Sequence, residues 1–280
     1  MPTSTVTTLA QRAEIVDRGV ETSVPAELPQ RLVTVSLIIP TLNEAESIAQ
    51  VLPRVPDTVD EIVIVDANSN DNTLDVVAAV CPRAVRVTQH GRGKGDALIQ
   101  GVRASHGDII ITMDADGSMA PEFIPELAAL LIEGADFVKG SRVLRDGGSA
   151  DFTLVRRLGN WALTVATNLL HGTRYTDITY GLNAYWRHVV DDLGALSPGF
   201  QFEIQAAIRA GRRGMHVAEV PCYEAARIGG KSKLHPFRDG FAILRSILAE
   251  IRVSEATSLD EATERADEAD VYAPRAMAEV

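Results

Sequence analysis

Asp114 and Asp116 stand one residue apart at the end of the stretch IIITMDADGS, residues 109–118. Two carboxylates that close repel each other unless a cation or a proton lies between them. Hard divalent cations take oxygen ligands, and Mg²⁺ is commonly held by one or two carboxylates together with substrate phosphates. A cation bound there would stabilise the negative charge that develops on a departing diphosphate. An Asp-x-Asp pair alone is common by chance, so its neighbours must decide.

Three other readings compete. As an EF-hand loop beginning at Asp114, the stretch would place Pro125 where a bidentate Glu is needed, and a strand precedes it instead of a helix. DADGS also resembles the Asp-x-Asp-Gly-Thr of haloacid-dehalogenase-type phosphatases, in which the first Asp attacks phosphorus and the second works as acid and base. That motif follows the first strand of its core, whereas several strand–helix units precede Asp114 here. The third reading is a solvated turn with two acids.

The elements that must position these residues alternate. Strands are expected over 31–40, 61–68, 84–89, 108–116 and 136–142, with helical stretches starting at 43, 69, 93 and 121 between them. Such alternation predicts an α/β fold with a mainly parallel sheet flanked by helices. Ligands of such sheets bind outside the carboxyl ends of the strands, and Asp66, Asp114 and Arg142 all fall at such ends. GRGKGDAL, residues 91–98, is glycine-rich without the Gly-Lys-Ser/Thr of a Walker loop. Its glycines let backbone N–H groups approach a ligand, and the following helix begins with a partial positive charge. Longer helices are expected over 153–170, 200–212 and 236–252.

The 280 residues, 46% of them hydrophobic, suffice for one large domain. A net charge of −11 argues against a nucleic-acid partner. Cys81 and Cys222 show no metal or disulfide spacing and suit a reducing compartment. Neither a signal-peptide pattern nor an 18-residue apolar run occurs. The expectation is a cytoplasmic protein, peripheral at the inner face of the membrane. Residues 1–30 read as a mobile lead and 31–252 as one domain, with one half over 31–142 and another over 143–252. Residues 253–280 read as an acidic disordered tail.

The ordered set IIPTLNEAESI, IVDANSNDNT, GRGKGDAL, MDADGS, VKGSR, VRRLGNWALTVATNLL, TDITYGLNAYWR, FEIQAAIRAG and EVPCYEAARIGGKSKL resembles glycosyltransferase family 2, with the GT-A fold. Within it the set is most similar to the polyprenyl-phosphate sugar synthases, such as dolichol-phosphate mannose synthase, over roughly residues 33–250. The resemblance implies an inverting, metal-dependent hexosyltransferase using a GDP- or UDP-linked sugar with Mg²⁺ or Mn²⁺. It places Pro40, Thr41, Asn43 and Glu44 around the nucleotide and Asp66 at the base. Ala67 stands where a second acid is commoner. Lys94 falls near the diphosphate or ribose, beside Asp114 and Ala115. Asp116 is the firmer metal ligand, with Asp114 and Ser118 assisting. Lys231 and Lys233 would close over the diphosphate.

For the acceptor, the resemblance implies a lipid phosphate held by Arg142, Arg156 and Arg157, because the guanidinium fork suits phosphate oxygens. A phosphate acceptor is already largely dianionic at neutral pH. A hydroxyl acceptor, as in a soluble small-molecule transferase, would need a base, for which Asp177 is the candidate. In the stretch 235–252, Phe237, Phe241, Leu244, Leu248 and Ile251 form one apolar stripe with Arg238, Arg245 and Arg252 near it. The stripe suits a peripheral membrane contact, a core-facing helix or a contact between copies in a homo-oligomer.

Overall fold

A computed structural model describes residues 33–194, 196–229 and 236–252. The expected lead over 1–30, the expected tail over 253–280, and Lys231 and Lys233 lie outside the described residues. In chain order the elements are β1 (Val35–Thr41), α1 (Ala45–Val51), β2 (Glu61–Asp66), α2 (Thr73–Val80), β3 (Val85–Thr88), α3 (Lys94–Ala104) and β4 (Ile109–Thr112). There follow α4 (Ile124–Ile132), β5 (Phe137–Ser141), β6 (Gly148–Ser149), α5 (Leu154–His171), β7 (Asn183–Trp186) and α6 (Arg187–Leu193). The last are α7 (Gln201–Arg212), β8 (Val217–Pro221), β9 (Tyr223–Glu224) and α8 (Pro236–Glu250).

The main sheet has seven strands in the order β3-β2-β1-β4-β7-β5-β8. Its pairs are parallel except at β7, which runs antiparallel to both β4 and β5. Sequence reading anticipated the parallel strands but not β7 or β8. The four residues of β7, NAYW, are too short to show a period.

Both faces of the sheet are covered, so the strands read as continuous apolar runs. Leu37, Ile39, Ile62, Ile64, Ile109 and Ile111 point into one core, whereas Ile38, Val63, Val65 and Ile110 point into the other. Helix α3 lies close on the second face because residue 101 has no side chain. A Cβ at Gly101 would come 2.3 Å from Ile38 Cγ2 and 3.1 Å from Val65 Cγ2. This close seating carries Lys94, at the first turn of α3, to the carboxyl edge of the sheet.

Helices α5 and α8 pack against each other and depart from this pattern. Thr153 caps α5 by accepting from the Arg156 N–H, and Gly172 ends the helix in the left-handed region at φ 68°. The helix buries only Asn160, Thr164 and Thr167, while Leu154, Val155, Leu158, Trp161 and Leu169 are exposed. In α8, Ile243 and Ile247 face the core. Phe241, Leu248 and Ile251 of the expected stripe face outward, and Leu244 is half-buried. No described helix is long and apolar enough to cross a membrane. Cys81 and Cys222 are buried free thiols.

Gly101→Val should force α3 off the sheet, at a cost of about 1–3 kcal/mol for overpacking. Thermal unfolding should show Tm lowered by several degrees, whereas Gly134→Ala, with open space around its Cβ but φ 114°, should cost only its backbone strain.

Candidate active site

The strand β4 stops at Thr112, so both aspartates sit in the loop beyond it, not in the strand as the sequence suggested. Gly117 turns this loop at φ 77°, a region an L side chain rarely adopts. There the Ile228 side chain packs against it, its Cδ1 lying 2.4 Å from where a Cβ would be. The loop feeds a cluster of charges. Asp114 Oδ1 pairs with Lys94 Nζ at 2.5 Å, and Lys94 also donates to Glu203 Oε2 at 3.1 Å. Asp116 Oδ1 accepts the Ser118 N–H at 2.9 Å, and Asp116 Oδ2 pairs with Arg227 Nη1 at 2.7 Å.

Two carboxylates thus share the one Lys94 ammonium. Burial works against the Lys94 charge, but Asp114 and Glu203 outweigh it and raise its pKa above the usual lysine value. Burial, with Asp114 adding to it, raises the Glu203 carboxyl above its ordinary range against the pull of Lys94. A divalent cation fits this donor set. The groups are hard carboxylate oxygens, and two cationic side chains already stand against them. Among the described residues no three His, Cys, Asp or Glu side chains are grouped to hold a metal by themselves. Further ligands would therefore come from substrate phosphates and water.

A cavity of about 580 Å³ opens over this cluster. Pro40, Thr41, Glu44, Lys94, Asp114, Ala115, Asp116, Ser118, Arg142 and Arg156 of the expected site line it. Asn43, Asp66, Arg157 and Asp177 are not among its lining residues. Asn43, at φ 54°, ties two turns together: its N–H donates to Ser69 Oγ at 2.8 Å and its Oδ1 accepts from the Asn70 N–H at 2.9 Å. Asp66 is buried and accepts from Thr41 Oγ1 at 3.0 Å, Ser69 Oγ at 2.6 Å and the Ser69 N–H at 2.8 Å. Both residues shape the floor beneath Thr41 and Ala67. Arg157 is exposed on the outer side of α5.

Arg142 is also fully engaged. Its Nε and Nη2 grip Asp177 at 2.7 and 3.0 Å, its Nη1 reaches Glu224 at 3.1 Å, and its Nη2 reaches Thr179 Oγ1 at 2.8 Å. The guanidinium lies against the rings of Phe152 and Tyr180, at 4.2 and 4.9 Å from their centroids. While those contacts hold, and with Nη1 also 3.3 Å from the second Glu224 oxygen, little of Arg142 is left for a phosphate. Asp177 is wholly buried; burial opposes its charge, but the bonds and charge of Arg142 hold its carboxyl below the usual range. A carboxylate so placed is a poor general base. Glu219 steadies the same turn by accepting the Thr176 N–H at 2.9 Å, and burial pushes its own carboxyl up to about 7.

The sequence reading missed Arg227, Glu203 and Glu224. All three lie inside quoted motifs, FEIQAAIRAG and EVPCYEAARIGGKSKL, but nothing local marks them; only the fold brings them to the aspartates and to Arg142. Glu203 Oε1 is enclosed without a hydrogen-bond partner and borders the cavity. Arg156 lines the cavity and pairs with Asp151.

Known proteins show the same family and fold. The family model described as glycosyl transferase family 2 matches residues 36–194. An undecaprenyl-phosphate mannosyltransferase from Micrococcus luteus is 36% identical over 210 residues, covering 70% of this chain and 86% of the relative. A dolichyl-phosphate hexose transferase from Haloferax volcanii is 31% identical over 217 residues, covering 76% and 92%. Among solved structures, glucosyl-3-phosphoglycerate synthase from Mycobacterium tuberculosis with Mn²⁺, UDP-glucose and phosphoglyceric acid superposes with a TM-score of 0.63 at 23% identity, covering 80% of this chain and 82% of that one. The architecture is the expected GT-A fold.

Arg142→Ala should leave Asp177 buried and unpaired, at about 3–5 kcal/mol, lowering Tm by roughly 10 °C. Arg142→Met combined with Asp177→Leu should recover part of that loss in the same melt, because Asp177 is then no longer stranded, while Glu224 still lacks its partner.

Proposed function

The chain belongs to glycosyl transferase family 2, and on that premise we propose that this glycosyltransferase moves a hexose, with inversion, from a nucleotide-diphosphate sugar to the phosphate of a polyprenyl phosphate. One observation carries the acceptor: the cavity over Asp114 and Asp116 continues between Phe152, Val155, Leu163 and Ile243, an apolar wall. Val155 lies on the same α5 whose Leu154, Leu158 and Trp161 stand exposed. A phosphate at the charged end and a hydrocarbon chain along that wall match a lipid phosphate. The relatives from Micrococcus luteus and Haloferax volcanii, named for undecaprenyl and dolichyl phosphate, support the same choice.

The donor's nucleotide would lie along Pro40, Thr41 and Glu44, its diphosphate towards Lys94 and the loop of Ala115. Asp116 and Asp114, with Ser118 beside them, would hold a Mg²⁺ or Mn²⁺ ion, which supplies charge neutralisation for the departing diphosphate. Lys94 keeps its proton and adds a fixed positive charge at the same place. The free Glu203 Oε1 is placed to accept from a hydroxyl of the hexose. Arg156 is placed to meet the acceptor phosphate, with Arg142 a positioning residue that keeps Tyr180, Thr179 and the Asp177 turn in place. Lys231 and Lys233 retain their assignment to the diphosphate. The acceptor oxygen arrives ionised and needs no base, which accords with the sequestered Asp177. A small hydroxyl acceptor would need the base that Asp177 is too buried to be, and the family excludes the phosphatase reading of DADGS.

The exposed apolar residues of α5 and α8 would touch the membrane that presents the lipid. Arg157, Arg245 and Arg252 are exposed on the same two helices and their end, suited to anionic headgroups. The enzyme would work as a peripheral protein at that surface.

With radiolabelled GDP-mannose and UDP-glucose tried in turn, label should enter the chloroform–methanol phase only when polyprenyl phosphate is present. EDTA should abolish it and Mn²⁺ or Mg²⁺ restore it. A water-soluble product made at full rate without lipid would overturn the acceptor assignment. Leu158→Glu with Trp161→Glu should weaken cosedimentation with anionic vesicles while sparing transfer to a short, soluble prenyl phosphate.

A further inference from the structure

Asp116 has no idle oxygen in this structure: Ser118 N–H takes Oδ1 and Arg227 takes Oδ2. Arg227 is held there by its own backbone. The Ala225 N–H donates to the Ser118 carbonyl at 2.8 Å, and the Ile228 N–H donates to the Asp116 carbonyl at 2.9 Å. The guanidinium is therefore delivered to the loop from both sides of residue 227. Yet the fork is underused: Nη1 meets Asp116, while Nε is enclosed and has no hydrogen-bond partner. Arg227 also borders the cavity that would receive the diphosphate.

Charge counting gives this arrangement a consequence. Asp114, Asp116 and Glu203 face Lys94 and Arg227, three acids against two cations. A divalent ion added alone would meet the Arg227 charge at the same carboxylate, and like charges that close disfavour each other. A nucleotide diphosphate arriving with the ion brings the negative charge that removes this excess and offers oxygens to the unused Arg227 donors.

We propose that Arg227 is an internal counter-ion of Asp116 that competes with the divalent cation and passes to the donor's diphosphate when nucleotide and metal arrive together. The inference rests on the metal-and-diphosphate reading of the site given above. It makes Arg227 a positioning residue with a thermodynamic signature: metal alone binds weakly, and nucleotide and metal strengthen each other by the same factor.

The test is a Mn²⁺ titration followed by the EPR signal of free Mn²⁺, first on the protein alone and then with UDP or GDP. Arg227→Gln should bind Mn²⁺ alone roughly tenfold or more tightly than the wild type, the size of an ordinary coupling between two ligands of one site. The added effect of nucleotide should shrink accordingly. Arg227→Lys, which keeps the charge, should stay near the wild type, and a single cooperative melt well above the titration temperature establishes that both variants are folded, even where loss of the Asp116 counter-ion lowers Tm. If folded Arg227→Gln binds Mn²⁺ alone no better than the wild type, while nucleotide still tightens Mn²⁺ in both, the counter-ion role is wrong and the metal site stands. If Asp116→Asn binds Mn²⁺ with nucleotide as tightly as the wild type, the metal-site reading itself fails, and this proposal with it.

Discussion

Neutralising the acids beyond β4 is the constraint around which the site is built. A carboxylate at the closed end of a cavity is expensive unless an opposite charge lies against it. Three distant parts of the chain answer that demand. The first turn of α3 brings Lys94, the first turn of α7 brings Glu203 to hold Lys94, and the segment after β9 brings Arg227. Each depends on backbone placed by something else: Gly101 seats α3 on the sheet, and Gly117 gives the Ile228 side chain room. The chemistry and the packing are thus one problem. The cationic groups proposed to meet a diphosphate are the same groups that neutralise the acids of the site.

A second buried charge system stands beside the first and does different work. Arg142, Asp177, Glu224 and Thr179 satisfy one another almost completely. Such networks hold a geometry firmly but leave nothing over for a ligand. Arg142 leaves β5, Asp177 precedes β7 and Glu224 lies in β9, so the network ties together three segments that border the cavity. The contrast with Arg227 is instructive. Both arginines pair with an aspartate near the cavity, but one is spent and the other keeps donors in reserve.

The apolar side completes the picture. Helix α5 is polar and small where it meets the protein, through Asn160, Thr164 and Thr167, and bulky and apolar where it meets the outside. That inversion of the usual pattern is what the proposed place of α5, between the cavity and a lipid surface, would require. Helix α8 is conventional inside, with Ile243 and Ile247 in the core, and adds Phe241 and Leu248 to the exposed side.

The sequence alone determined the α/β alternation and the placing of Asp66, Asp114 and Arg142 at or just beyond strand ends, and it marked the Asp pair as a candidate cation site. These are local properties: apolar periodicity, turn chemistry and carboxylate spacing act over a few residues. It did not determine β7, whose four residues become a strand only because β4 and β5 flank them. Nor did it separate residues that line the cavity from those that brace it. Asp66 and Asp177 read as site acids in one dimension, yet Ser69 and Thr41 enclose the first and Arg142 the second. Glu203 and Arg227 read as ordinary helix and loop charges, yet they face Asp114 and Asp116 from 89 and 111 residues away. Which charges meet is decided by loop closure across the whole sheet, and no short-range pattern encodes it; only the tertiary structure could assign these partners.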